Sequence, residues 1–255
     1  MYTINLFGPP EILWQGQPIR IIRRQQRLIL YCLVASPQPV ARQFLAHLFW
    51  PKEPDWRAQR LLTRQLSALR ASLPDSRLLL VSQDYVGIDP NLANVDLWQI
   101  DAASQPYNLP GPTNSSNLLE TISQIEAAVT SYRGPLLSGV DLAGYPELEL
   151  WVSGQQPKWE QRILSLLEQL VDYFMGQAHW HCAIAYARNA LEIDQANEAI
   201  HRKLIELYAA SDQRTAALRQ YEHCLTALAA LDLQPSPATD RAFEEACKGL
   251  VKITQ

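Results

Sequence analysis

The sequence has 255 residues, 47% hydrophobic and 19% charged, which is enough for two modest globular domains or one large one and excludes a disordered chain. It contains no run of 18 apolar residues, and its start, Met1 to Asn5, lacks the basic-then-apolar pattern of a signal peptide, so the expectation is a cytoplasmic protein with no membrane-spanning helix. The formal net charge of −4 is unevenly spread: residues 1–77 carry 11 Lys/Arg against four acids (Glu11, Glu53, Asp55, Asp75), a net of +7, while the remainder carries 11 against 22, a net of −11. A DNA-reading module joined to a differently employed partner has that polarity, because phosphate attraction is local.

In chain order, residues 2–22 read as a small antiparallel sheet: Tyr2–Phe7, a Gly8-Pro9-Pro10 break, Glu11–Trp14, a turn at Gln15–Pro18, then Ile19–Ile22. Arg23–Ala35 reads as a core helix with a cationic start (Arg23, Arg24, Arg27), an arrangement that opposes the helix dipole unless an anion lies nearby. A short helix follows over Ala41–Trp50, with Phe44, Leu45, Leu48 and Phe49 expected inward, and Asp55 is the expected N-cap of the next helix. That helix, Trp56–Leu73, puts Ala58, Leu62, Leu66, Leu69 and Leu73 on one face and Arg57, Arg60, Arg64 and Ser67 on the opposite one. Three guanidiniums on one exposed row repel each other unless an anion screens them, which suits a recognition helix. A hairpin over Arg77–Ser82 and Tyr85–Pro90 closes the pattern, so the first part reads as a winged helix-turn-helix with a preceding sheet.

Leu6-Phe7-Gly8, Gly16-Gln17-Pro18, Tyr31-Cys32-Leu33-Val34, Leu45–Pro51, Ala58-Gln59-Arg60-Leu61-Leu62 with Leu69-Arg70, and Val95-Asp96-Leu97-Trp98 together resemble the DNA-binding domain of the Streptomyces antibiotic regulatory protein family. The resemblance implies a winged helix followed by a helical bacterial transcriptional activator domain. Tyr132–Leu137 matches that domain's opening Tyr-x-Gly-x-Leu-Leu segment, and Tyr221–Cys224 with Leu231–Thr239 is similar to its closing motif. Asp194-Gln195 departs from the family's usual Asp-Pro.

The second half is periodic in its own right. Residues 102–117 read as a loop, Leu118–Ser131 as a helix, and Glu147–Trp151 and Trp159–Gly176 as further helices. An offset of 34 pairs Ala183 with Ala217, Ile184 with Leu218, Ala187 with Tyr221, Ala190 with Cys224 and Leu191 with Leu225; Leu170/Leu204, Val171/Ile205 and Phe174/Tyr208 extend it backwards. That period is the one of tetratricopeptide repeats. The expected organisation is therefore mostly α: an α+β winged helix-turn-helix over residues 1–101, a linker over 102–117, and an all-α tetratricopeptide-like activator domain over 118–255.

No catalytic or cofactor pattern is present. His47, His179, His181, His201 and His223 lack metal or nucleophile spacing, and none of the 10 glycines forms a phosphate-cradling loop. Cys32, Cys182, Cys224 and Cys247 are widely spaced among apolar residues, as buried reduced thiols are. Trp50, Trp98, Trp151 and Trp159 fall at the family's core positions, which favours packing over a ligand cage. The expected function is thus a DNA-binding transcription regulator that needs no cofactor. Arg57, Arg60, Arg64 and Ser67 are expected in the major groove, Arg24, Arg27, Arg42 and Arg77 on flanking phosphates, and Tyr85 near the wing tip. The resemblance further implies binding to direct repeats in double-stranded DNA, recruitment of RNA polymerase, and a helical half that forms a homodimer or takes a protein partner. It also admits an alternative, since the same pair of modules occurs at the front of long multidomain signalling ATPases, where the helical array is an interaction platform. A third reading puts a small molecule on the concave face of the repeats.

Overall fold

The computed structural model describes residues 1–104 and 115–251, which form two compact units, Met1–Glu160 and Gln161–Gln255. No helix among the described residues is long and apolar enough to cross a membrane.

The first unit begins with strands β1 (Tyr2–Asn5), β2 (Glu11–Trp14) and β3 (Gln17–Pro18). β2 and β3 are joined by Gln15-Gly16, both at positive φ (52° and 79°), a two-residue hairpin turn in which the second position favours glycine. The turn is shorter than the four residues expected, so the third strand starts at Gln17, and Ile19–Ile22 forms no strand. The sheet is also not purely antiparallel. Its order is β3-β2-β1-β7, and β7 (Ala93–Val95) lies parallel to β1, a pairing across about ninety residues that no local pattern could announce.

Helices α1 (Arg24–Val34), α2 (Arg42–Phe49) and α3 (Asp55–Ser72) follow. They bury Leu28, Ile29, Leu30 and Leu33, then Leu45, Leu48 and Phe49, then Ala58, Leu62, Leu66 and Leu69. Two expectations fail locally. Phe44 is 44% exposed, because the buried face of α2 runs through Leu45, Ala46, Leu48 and Phe49. Asp55 is already inside α3, and Pro54 holds the cap position with its carbonyl accepting from the Arg57 and Ala58 amides. There Asp55 still favours the positive helix end.

Behind α3 stand β5 (Leu79–Val81) and β6 (Tyr85–Ile88), paired antiparallel as expected, with a 3-10 turn at Ser76–Leu78 before them. A two-residue strand, β4 (Val40–Ala41), adds to the far side of β6, giving the order β4-β6-β5. This is a winged helix.

Helix α4 (Asp96–Ser104) takes in the first residues of the expected loop, and α5 (Ser115–Thr130) takes in the last; residues 105–114 of that loop lie outside the described residues. The buried Asp96 carboxylate accepts from the Leu6, Phe7 and Leu97 amides at 2.7–2.8 Å, so it caps α4 and fixes the chain leaving β1. The Leu6–Gly8 stretch is held a second time. The Leu137 amide donates to Leu6 O, the Gly8 amide donates to the Gly134 and Pro135 carbonyls, and Phe7 meets Tyr132 and Trp159 edge-on. Gly8 has φ 73°, and a Cβ there would come within 3.1 Å of Arg133 O, so any other residue would be strained and would push Arg133 back. These contacts carry the first compact unit to Glu160, into helix α6 (Pro146–Gly176), which runs unbroken through Pro157 where two shorter helices were expected.

The second unit contains the rest of α6 with α7 (Trp180–Ile193), α8 (Glu198–Ala210), α9 (Arg214–Ala229) and α10 (Pro237–Val251). The repeat is seen in half of its eight expected pairs, while the other four are not buried on both sides, Leu225 being 36% exposed. Leu170 and Leu204, Val171 and Ile205, Ala183 and Ala217, and Ala190 and Cys224 are all fully buried pairs, and their small members let helices approach closely. The helix ends repeat as well. Ala178 and Asp212 are left-handed (φ 56° and 58°), with the His179 amide reaching Phe174 O and the Gln213 amide reaching Tyr208 O; Asp232 with Leu233 to Leu228 O makes a third copy. Where the family usually has Asp-Pro, Asp194 Oδ1 accepts from the Ala196 amide and ends α7 without a proline.

Candidate nucleic-acid interface

The outer face of α3 carries Arg57, Arg60, Arg64 and Ser67, all exposed, as the apolar period requires once Ala58, Leu62, Leu66 and Leu69 are buried. Arg60 and Arg64 have no partner among the described residues. Arg57 differs: its Nε lies 3.3 Å from Glu53 Oε2, in the turn that precedes α3. Ser67 Oγ donates to Thr63 O at 2.9 Å.

Two residues that the arginine pattern did not single out belong to the same surface. Thr63 Oγ1 accepts from Arg42 Nη2 at 2.6 Å and donates to Gln59 O at 2.8 Å, so it ties the start of α2 to α3. Trp56, in the first turn of α3, is 68% exposed. Both lie on the arginine side of the helix, and extending the same period to polar and aromatic positions would have found them.

The wing borders this face. Arg42, Gln43, Asp55, Gln59, Gln83, Asp84 and Tyr85 line a groove of about 420 Å³ between α3 and the β5–β6 turn, and the Arg42 amide donates to Asp84 O at 2.8 Å. Tyr85 is 54% exposed at the start of β6. A second hollow, about 170 Å³, is lined by Arg42, Thr63, Ser67 and Arg70, and the Arg70 guanidinium is held by Leu79 O.

The remaining expected phosphate ligands are engaged by the protein itself. The basic start of α1 is neutralised internally: Arg24 donates to the Asp141 and Ala143 carbonyls, pairs with the Asp141 carboxylate at 3.1 Å and lies over the Tyr145 ring. Arg27 Nη1 ties down the Ile21 and Ile22 carbonyls. Arg77 makes a bidentate pair with Asp75, and its hydrogen bonds hold the Asp75 carboxyl down at about 2. These three were expected on phosphates because no sequence pattern shows which carbonyls the fold brings beside a guanidinium.

Elsewhere the titratable groups are structural. His201 is buried, with Nε2 on Gln195 O and Nδ1 on the Gln220 amide, and no group of His, Cys, Asp and Glu among the described residues is placed to hold a metal. Burial pushes the Cys32 thiol up and raises that of Cys224 to about 11, but Cys182 is exposed and Cys247 half-buried, so the thiols are not uniformly buried as expected.

The geometry is that of a winged helix with a row of exposed side chains on α3, followed by helical repeats. The sequence of the family described as bacterial transcriptional activator domain matches residues 112–246. Among solved structures, Mycobacterium tuberculosis EmbR, determined in complex with a low affinity phosphopeptide, is similar with a TM-score of 0.66 and 22% sequence identity, over 97% of this chain and 65% of that one. That likeness is one of fold, and this chain spans about 65% of the EmbR chain's length. No curated protein matches the sequence. With more than half of its length matched, the chain, a winged helix followed by helical repeats, belongs to the bacterial transcriptional activator domain family.

Proposed function

We propose that this chain is a transcription regulator that reads duplex DNA with α3 in the major groove. Arg60 and Arg64 contact guanine edges or phosphates, Arg57, Arg42 and Ser67 flank them, and Tyr85 on the wing touches the neighbouring backbone or minor groove. The observation that carries the reading is the pair Arg60 and Arg64: two exposed guanidiniums one turn apart with no acidic partner among the described residues. Arg24, Arg27 and Arg77 are left out because their donors already serve the fold. The helical repeats present a second surface for another copy of the chain or for RNA polymerase, as the family resemblance implies.

The test is a gel-shift and salt titration on the promoter DNA of the protein's own gene and its neighbours. Specific retardation is expected, and Arg60→Ala/Arg64→Ala should abolish the preference for promoter over random DNA while lowering the magnitude of the log–log salt slope of the remaining binding by about two. Equal binding of promoter and random DNA, or indifference to the double substitution, overturns the reading.

A further inference from the structure

Trp56 is a large apolar side chain left in water at 68% exposure, with no ring or hydrogen-bond partner among the described residues. Of the four tryptophans expected at core positions, Trp159 is buried against Phe7 and Trp98 donates its indole N–H to Val34 O, while Trp50 and Trp151 are half-buried. Trp56 is also set in a charged row. It precedes Arg60 by one helical turn on the outer face of α3 and belongs to the helix's first turn, the part of a recognition helix that approaches base edges.

What an indole can recognise there is restricted. It has a broad apolar face and a single N–H donor, and it has no acceptor, so it cannot read the amino groups of adenine or cytosine. The one apolar feature on a base edge in the major groove is the C5-methyl of thymine, whose neighbouring O4 is an acceptor. Resting on the DNA-binding reading above, we propose that Trp56 is a specificity-determining residue that selects thymine at the operator position facing the first turn of α3, packing its ring on the C5-methyl group. The arginines then supply guanine and phosphate contacts, and Trp56 supplies a contact that ignores phosphate.

The experiment uses the full chain and an operator selected from random duplexes. Each thymine is replaced in turn by deoxyuridine, which removes only the methyl group, and binding is measured for wild type, Trp56→Ala and Trp56→Phe. One thymine per half-site should weaken wild-type binding by about fourfold on losing its methyl, and Trp56→Ala should weaken binding by about tenfold and become indifferent to that replacement. Trp56→Phe should keep part of the sensitivity. The salt slope should stay that of wild type in both variants. If no thymine distinguishes wild type from Trp56→Ala, or if Trp56→Ala weakens random and selected DNA equally, the assignment is wrong even where Arg60→Ala/Arg64→Ala abolishes specific binding. If no duplex is selected at all, the DNA-binding reading falls with it.

Discussion

Glu53 is the perturbation that tests the electrostatics of the α3 face most directly. It lies 3.3 Å from Arg57 in an exposed pair whose side chains are 58% and 30% accessible. A largely solvent-exposed pair of this kind contributes about 0.5 kcal/mol, so a phosphate entering beside Arg57 displaces it at little cost. The carboxylate also repels DNA: at ~10 Å from a phosphate the repulsion is about 0.4 kcal/mol in water, reduced further by salt. Together these give about 0.5–0.8 kcal/mol, and Glu53→Gln is expected to tighten specific binding about two- to fourfold at ~0.15 M salt, with a slope up to about one unit steeper as Arg57 engages a phosphate. Fluorescence anisotropy across a salt series measures both quantities. In an Arg57→Ala background most of the gain should vanish, and Glu222→Gln, a charge change of the same size in the second unit, should do almost nothing. Weaker binding by Glu53→Gln, or an equal gain from Glu222→Gln, would refute the local argument and leave only net charge.

Two further expectations concern the scaffold. Asp96→Ala leaves the buried Leu6 and Phe7 amides without an acceptor, which costs about 3 kcal/mol; thermal unfolding should shift down by roughly 6–12 °C, and a shift below a degree or two would show that the Leu6–Gly8 stretch is held by Leu137 and Gly134 alone. At Glu198, burial acts to raise the carboxyl, but hydrogen bonds from the Ser236 amide and Thr239 hydroxyl outweigh it and leave it below its ordinary 4.5. A depressed carboxylate stabilises above its unfolded-state value and loses that stabilisation as pH falls through the folded-state value, so Glu198→Gln should destabilise at pH 7 and converge with wild type below about pH 4. Hydrogen exchange over α8 and α10 against pH measures this, and a pH-independent difference would count against it.

The elements with strong local periods were legible from sequence alone. The buried faces of α1 and α3, the β5–β6 wing and the 34-residue repeat each rest on spacing that the helix or strand period dictates, and the structure buries Leu62, Leu66, Leu69, Leu170 and Leu204 as that spacing requires. What was not legible is non-local or very short. β7 finds β1 across the winged helix, β4 is two residues long, and Tyr132–Leu137 folds back on Leu6–Gly8 through backbone hydrogen bonds that carry no compositional trace. The cationic start of α1 shows the limit most clearly. Its charge was expected to meet a phosphate, but Arg24 is paired with Asp141, 117 residues away, and with two carbonyls beside it.

That contrast gives a physical rule for sorting the basic residues of the first unit. A guanidinium near irregular backbone, such as that of Arg24, Arg27, Arg70 or Arg77, finds carbonyls or a carboxylate and becomes part of the fold. On the middle of a helix the backbone carbonyls are consumed by the i→i−4 ladder, so an arginine depends on side chains three or four residues away or on a neighbouring element, as Arg188 depends on the Tyr208 hydroxyl. For Arg60 those neighbours are Trp56, Arg57, Thr63 and Arg64; for Arg64 they are Arg60, Leu61, Ser67 and Ala68. None is acidic, and two of the four around Arg60 are themselves cations. Arg57, with Glu53 four residues earlier, is the intermediate case and is paired. The same side chain is therefore structural or available according to whether its helix offers it an acceptor. By that criterion the described residues leave Arg60 and Arg64 no complement but solvent or an anion from outside.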